Sequence, residues 1–191
     1  VVMVGAGSQA QRLARAMAEV PGLRLVGLSS PHIDDRDTSS FGEVDRDADL
    51  ERLLARSRPD AVVLAAATTA HHTLALRLLA RGLPALIEKP FTRTLEQADE
   101  LATHPDARQL MVAHTRCFAP GFLSLRQGLV DAHAGPVLRA NYTLRAPSGA
   151  PHAPATWARD ALLDTLYNAV YLLGALVGGG CVVEGELDLR A

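Results

Sequence analysis

A lysine set between a glutamate and a proline, Glu88-Lys89-Pro90, is the residue of this chain best placed to do chemistry. It closes the run from Asp60 to Pro90, which reads as a buried strand, a polar turn carrying His71 and His72, an apolar helix and a second strand. A strand–helix–strand of that length is one βαβ unit with parallel strands, and ligands of such sheets bind beyond the carboxyl ends of the strands. Lys89 therefore stands over a ligand crevice, where it can act as an acid/base or as an electrostatic stabiliser. A second group lies on the apolar stretch Asp160 to Val177, where Asp164, Asn168 and Tyr171 recur at i, i+4 and i+7 and share one helix face. Polar groups within a buried helix need partners or a wet cleft. Asn168 carries an amide, which does not titrate and so cannot shuttle a proton.

The elements that position Lys89 begin at the first residue. Val1 to Val4 is a short β-branched strand, and Gly5-Ala6-Gly7-Ser8-Gln9-Ala10 follows it directly, opening a helix that stops before Pro21-Gly22. This is a GxGxxG/A turn in its required strand-to-helix context. Gly5 permits the tight turn, Gly7 lets the backbone approach a pyrophosphate, and Ala10 keeps the helix close to the strand. The helix N-terminus adds free amides and a positive dipole end for phosphates. The motif predicts a dinucleotide site.

The second strand, Leu23 to Leu28, ends in Ser29-Ser30-Pro31-His32. An NAD site usually has an acidic residue there to accept from the ribose 2′-hydroxyl. Serines, with His32 and Arg36 close behind, suit a 2′-phosphate better, so the reading leans to NADP. Asp34 and Asp35, a few residues on, could instead reach back to the ribose of NAD.

These pieces together resemble the Gfo/Idh/MocA family (glucose–fructose oxidoreductase / inositol dehydrogenase). They are the glycine turn, DAVVLAAATTAHH, ARGLPALIEKP, VAHTRCFAP at 112–120, Gly135-Pro136-Val137 opening a strand, Trp157, and Leu162-Leu163-Asp164 opening an apolar helix. The resemblance implies an α/β fold: an N-terminal Rossmann parallel sheet over 1–115 with a partial C-terminal α+β domain over 116–191. It implies an NAD(P)-dependent oxidoreductase acting on a sugar, cyclitol or related hydroxy or carbonyl compound. It implies cofactor contacts from Gly5, Gly7, Ser8, Gln9, Ala10, Ser29, Ser30, His32, Ala66, Thr68, His71, Glu88 and Lys89, and substrate contacts from His114, Arg116 and Trp157. The catalytic set would be Lys89 with Asp164, and Asn168 falls where the family carries its acid/base histidine. Tyr167, one position earlier, is the possible substitute proton carrier.

Two other functions follow from the same residues. Without a titrating group at 168 the chain could be a catalytically impaired NAD(P)-binding regulatory or scaffold protein. It could also be an imine or carbonyl reductase of specialised metabolism, where protonation needs no histidine. His71 either faces the nicotinamide side or caps the helix that follows, and Phe118 reads as core.

Composition is compatible with this class. The chain has 191 residues, is 48% hydrophobic and carries a formal net charge of −2, enough length for a real core. No basic patch points to nucleic acid, no apolar run approaches a membrane span, and no signal peptide is visible. Cys117 and Cys181 lack metal-ligand spacing, so two reduced thiols in a cytoplasmic protein and no metal are expected. The valine start inside a strand and the stop at Ala191, after two strands of a C-terminal sheet, suggest missing residues or an edge buried in a homo-oligomer.

Helices are expected at Ala10–Glu19, Ala48–Ala55, His72–Arg81, Leu95–Thr103 and Phe118–Ala132, and strands at 1–4, 23–28, 61–66, 84–87, 109–113, 137–145 and 182–189. The stretch from Pro31 to Asp47 is short for a crossover, so an abbreviated helix or absent residues are expected there.

Overall fold

The computed structural model describes residues 1–132 and 167–176. The chain divides into two compact units, Val1–Ala113 and His114–Ala191. The first is an all-parallel sheet of six three-residue strands: β1 (Val2–Val4), β2 (Gly27–Ser29), β3 (Asp45–Asp47), β4 (Val62–Leu64), β5 (Ala85–Ile87) and β6 (Leu110–Val112). Their spatial order is β3-β2-β1-β4-β5-β6. This is the doubly wound order whose direction of winding reverses between β1 and β4, which opens a crevice at the strand ends there.

The period-two alternation of the strands explains why both faces are covered. Val2, Val4, Val62, Leu64, Ala85 and Ile87 point to one face and join Leu53, Leu54, Leu78 and Leu101 from the helices α2 (Leu50–Ser57), α3 (Thr68–Leu79) and α4 (Leu95–Thr103). Met3, Leu28 and Val63 point to the other and pack on Ala10, Ala14 and Met17 of α1 (Ser8–Ala18). The central strands β1 and β4, buried on both sides, are apolar throughout, as in other parallel sheets.

Helix α4 occupies the expected residues. Thr94 caps it by accepting from the Gln97 amide at 3.3 Å, while the Gln97 side chain accepts from the Arg93 amide at 3.3 Å, a reciprocal box one residue out of the usual frame. Helix α2 starts two residues later than expected because Asp49 is its cap, accepting from the amides of Glu51 and Arg52. Helix α3 starts four residues earlier, so His71 and His72 lie within it rather than in the turn before it. It ends at Gly82 (φ +65°), with the Leu83 amide bonded back to the Leu78 carbonyl, a glycine-terminated helix stop.

The largest differences lie between residues 23 and 47. The strand expected over 23–28 begins only at Gly27. Gly27 pairs with Val2, the Val26 amide donates to the Val1 carbonyl, and the Arg24 carbonyl accepts from the Val1 amine at 2.8 Å. Between β2 and β3 there is no α-helix, only a 3-10 turn at Ser39–Phe41. Ile33 and Phe41 fold inward from this connection and cover α1's side of the sheet in a helix's place. Strand β3, with the sequence Asp-Arg-Asp, has no apolar signature and was not expected. It is held from α2. Arg56 bonds Asp45 and Asp47, and Arg52 bonds Asp47 at 2.9 Å.

In the second unit, a 3-10 turn at Thr115–Phe118 leads into α5 (Pro120–Asp131), which opens on a proline in its first turn. Residues 167–176 form part of the expected apolar helix, here α6. Phe118, expected in the core, is 62% exposed, because the 3-10 turn carries it outward. The strands expected at 137–145 and 182–189 lie outside the described residues.

Candidate functional site

The cofactor residues expected from the sequence lie at the carboxyl ends of β1, β2, β4 and β5, in the connections that leave them and in the first turns of α1 and α3. The turn after β1 is the tightest. Gly5 has φ +110°, and its amide donates to the Ser29 carbonyl at 2.7 Å. A Cβ added at Gly5 would lie 2.3 Å from the Ala65 carbonyl oxygen. Gly5 is thus required both by its left-handed backbone and by the approach of the β4–α3 connection. Gly7, the N-cap of α1, is the opposite case, since a Cβ there would meet nothing within 4 Å. That open space above an uncapped helix start, with no acidic residue in the first turn, leaves the α1 amides directed at the crevice. An anionic pyrophosphate fits this end of the helix. Ala10, fully buried, holds α1 against the sheet.

Ser8 is exposed beside this opening, whereas Gln9 turns toward β5. Its side-chain amide donates to Glu88 Oε1 at 2.8 Å, and Glu88 Oε2 accepts from the Lys89 amide at 3.1 Å. Glu88 is only 5% exposed. The glycine turn and the Glu88-Lys89 segment are therefore one hydrogen-bonded assembly, and Lys89 is half-buried within it. The Lys89-Pro90 peptide bond is cis.

His71 neither caps α3 nor faces outward. It is 1% exposed, with Nδ1 2.9 Å from the Pro90 carbonyl oxygen and Nε2 3.1 Å from that of Ala66. In either neutral tautomer one ring N–H donates to one of these two carbonyls, and the ring lies between the turn after Lys89 and the turn after β4. Thr68 opens α3 nearby, and His72 instead meets Glu100 of α4 at 2.8 Å.

At the end of β2, Ser29 and Ser30 are both buried, while His32, Asp34, Asp35 and Arg36 are exposed. Among the described residues no group of three or more His, Cys, Asp or Glu side chains could hold a metal ion. No described helix is long and apolar enough to cross a membrane.

The second unit gathers a different set. His114 Nε2 is 3.0 Å from the Tyr167 hydroxyl, and its ring stacks on Tyr171 with centroids 4.3 Å apart. Tyr167 and Tyr171 meet edge to face at 5.7 Å. The Tyr171 hydroxyl donates to Asn168 Oδ1 at 2.9 Å, and Asn168 is 3% exposed. Burial holds the His114 pKa below the ordinary histidine value. Burial also raises that of Cys117, with Arg126 opposing. Arg116, expected at the substrate, is exposed on the 3-10 turn. Asp164 and Trp157 lie outside the described residues. The Gln9–Glu88 bond, the His71 bridge and the His114–Tyr167 contact were not foreseen. Each joins residues far apart in sequence, and none has a local signature.

The sheet order, the glycine turn and the uncapped α1 define a dinucleotide-binding Rossmann unit. Residues 1–115 match an oxidoreductase family with an NAD-binding Rossmann fold, and the chain belongs to that family, Gfo/Idh/MocA. It is 29% identical over 141 residues to inositol 2-dehydrogenase 4 of Saccharopolyspora erythraea, covering 71% of this chain and 41% of that protein. It is 38% identical over 80 residues to the myo-inositol dehydrogenase Hyg17 of Streptomyces leeuwenhoekii, covering 41% of this chain and 25% of that protein. The crystal structure of a myo-inositol dehydrogenase from Corynebacterium glutamicum superposes with a TM-score of 0.63 at 27% identity, over 70% of this chain and 41% of that one. The chain thus spans less than half the length of these relatives.

Proposed function

We propose that this protein is an NAD(P)-dependent dehydrogenase that moves a hydride between the nicotinamide and a carbon bearing a hydroxyl in a sugar or cyclitol. The carrying observation is the bonded assembly of glycine turn, Gln9, Glu88 and Lys89, which ties the pyrophosphate end of the crevice to a lysine. The inositol dehydrogenases among its relatives support a polyol as substrate. The bound nicotinamide supplies the hydride acceptor. The chain supplies the rest: α1 amides for the phosphates, Ser29 and Ser30 toward the ribose, and Lys89 to orient the substrate oxygen and stabilise charge on it. Two buried serines and no carboxylate at the β2 end favour NADP over NAD.

Fluorescence titration of NADPH and NADH against the purified protein tests this. The expected result is saturable binding with blue-shifted nicotinamide emission, tighter for NADPH. Lys89→Met should abolish turnover of myo-inositol while leaving a measurable Kd. A folded sample that binds neither nucleotide overturns the proposal.

A second reading, a cofactor-binding protein without turnover, is favoured by one observation. The amide of Asn168 is buried and its oxygen already accepts from Tyr171. Binding without turnover of any polyol would select it.

A further inference from the structure

Among the described residues no other carboxylate is as deeply buried as that of Glu88, which is 5% exposed, and the chemistry assigned above leaves its charge unused. Three bonds fix where that charge sits. The Glu88 backbone amide donates to the Leu64 carbonyl at the end of β4, at 2.8 Å. Oε1 accepts from Gln9 in the first turn of α1, and Oε2 accepts from the Lys89 amide. On the dehydrogenase reading above, we propose that Glu88 is the counter-charge of the oxidised nicotinamide and biases the crevice toward NADP+ over NADPH.

Topology supplies the neighbourhood. The sheet order runs β2-β1-β4-β5 through this region. A dinucleotide with its pyrophosphate at the start of α1 and its adenosine ribose at the end of β2 extends its other half over β4 and β5. Glu88 follows β5 directly and is bonded to the end of β4, so its carboxylate belongs to that half. The bond to Gln9 reaches from β5 past β4 to the first turn of α1, which keeps the carboxylate from swinging out to water. Both donors are neutral, so they satisfy the oxygens without cancelling the charge. A buried charge met by neutral donors remains costly, and a cation brought alongside lowers that cost. The nicotinamide ring is cationic when oxidised and neutral when reduced. The two forms share their phosphates, riboses and adenine, so the carboxylate tells them apart by charge.

Lys89 carries the opposite charge on the next residue. Its side chain is long and half-buried, so water screens it more than it screens the enclosed carboxylate. The balance therefore falls to Glu88, with Gln9 as the positioning residue that holds it. A site that binds NADP+ more tightly than NADPH lowers the reduction potential of the bound pair by that same difference in affinity. Glu88 thereby tilts the bound pair toward hydride donation.

Calorimetric titration of the whole chain with NADP+, NADPH and 2′-phospho-ADP-ribose, which lacks the nicotinamide, tests this role without turnover. NAD+, NADH and ADP-ribose replace them if that set binds more tightly. The quantity read is the Kd of the reduced cofactor divided by that of the oxidised one. Glu88→Gln should lower this ratio about tenfold, the scale of one partly screened charge pair, by weakening the oxidised form. The reduced form and the nicotinamide-free nucleotide should change less than twofold. Gln9→Lys keeps the carboxylate but sets a cation against it, and should lower the ratio in the same direction even if Glu88→Gln does not fold. Helical circular dichroism separates folded variants from unfolded ones. The role is overturned if either folded variant keeps the ratio within twofold of wild type. It is also overturned if Glu88→Gln weakens all three nucleotides together, which would leave Glu88 a support for the turn. A wild type that binds none of them strikes the dehydrogenase reading itself, a result separate from the others.

Discussion

At the scale of single residues, His71 lies between two strand ends, five positions from Ala66 and nineteen from Pro90. Removing its ring in His71→Ala takes away the N–H that donates to the Pro90 or the Ala66 carbonyl, at a position only 1% exposed. The expected cost is about 1–3 kcal/mol, read as a lower urea midpoint with an unchanged m-value. NADPH affinity should weaken as well, because the turn after Lys89 loses its support. An unchanged midpoint would show that the bridge contributes nothing. The glycines of the first turn were legible because their reasons are local: one demands a left-handed backbone, the other an uncrowded helix start. His71 was not legible in this way. Its residue type fits a cap, a ligand or a core position equally, and only the fold decides among them. The same holds for Gln9 and Glu88, whose bond crosses 79 residues.

At the scale of elements, β3 is the strand that hydrophobic patterning could not find. Its stability comes from charge. The Arg56 guanidinium, hydrogen-bonded to Asp45, holds that carboxyl below the usual carboxylate range. Asp47 is held low first by the Asp49 amide and then by Arg52. Because both pKa values are lowered on folding, the unfolded chain takes up protons first. The stabilisation is present above the ordinary aspartate value of about 3.9 and is lost as pH falls through the lowered folded values. Arg56→Gln should therefore lower the urea midpoint at pH 7, and the gap from wild type should shrink by pH 3. A gap of equal size at both pH values would assign the loss to packing instead. Helix α1 was legible from the glycine turn, and α4 occupies the residues expected for it. The start of α3 was not, since Ala67 offers no side-chain cap.

At the scale of the molecule, the first unit contains nearly all of the buried apolar core among the described residues, and it carries the glycine turn and the connections after β2, β4 and β5. A chain ending at Ala113 should therefore melt in a single calorimetric transition and bind NADPH within tenfold of the whole protein. Loss of cooperative melting would show that the second unit is needed for the first to fold. The parallel sheet was readable because two βαβ patterns and a glycine turn leave few topologies open. The contact between His114 and Tyr167 was not, because the two lie 53 residues apart.

The charged strand β3 also forms one rim of the sheet. A rim of unpaired backbone groups invites a strand from another molecule, the first step of fibre growth. Any strand laid against β3 would have to strip water from Asp45, Arg46 and Asp47 together, and would disturb the arginines that hold the two aspartates. The residues that make this strand invisible to hydrophobic patterning thus keep that side of the sheet from templating aggregates.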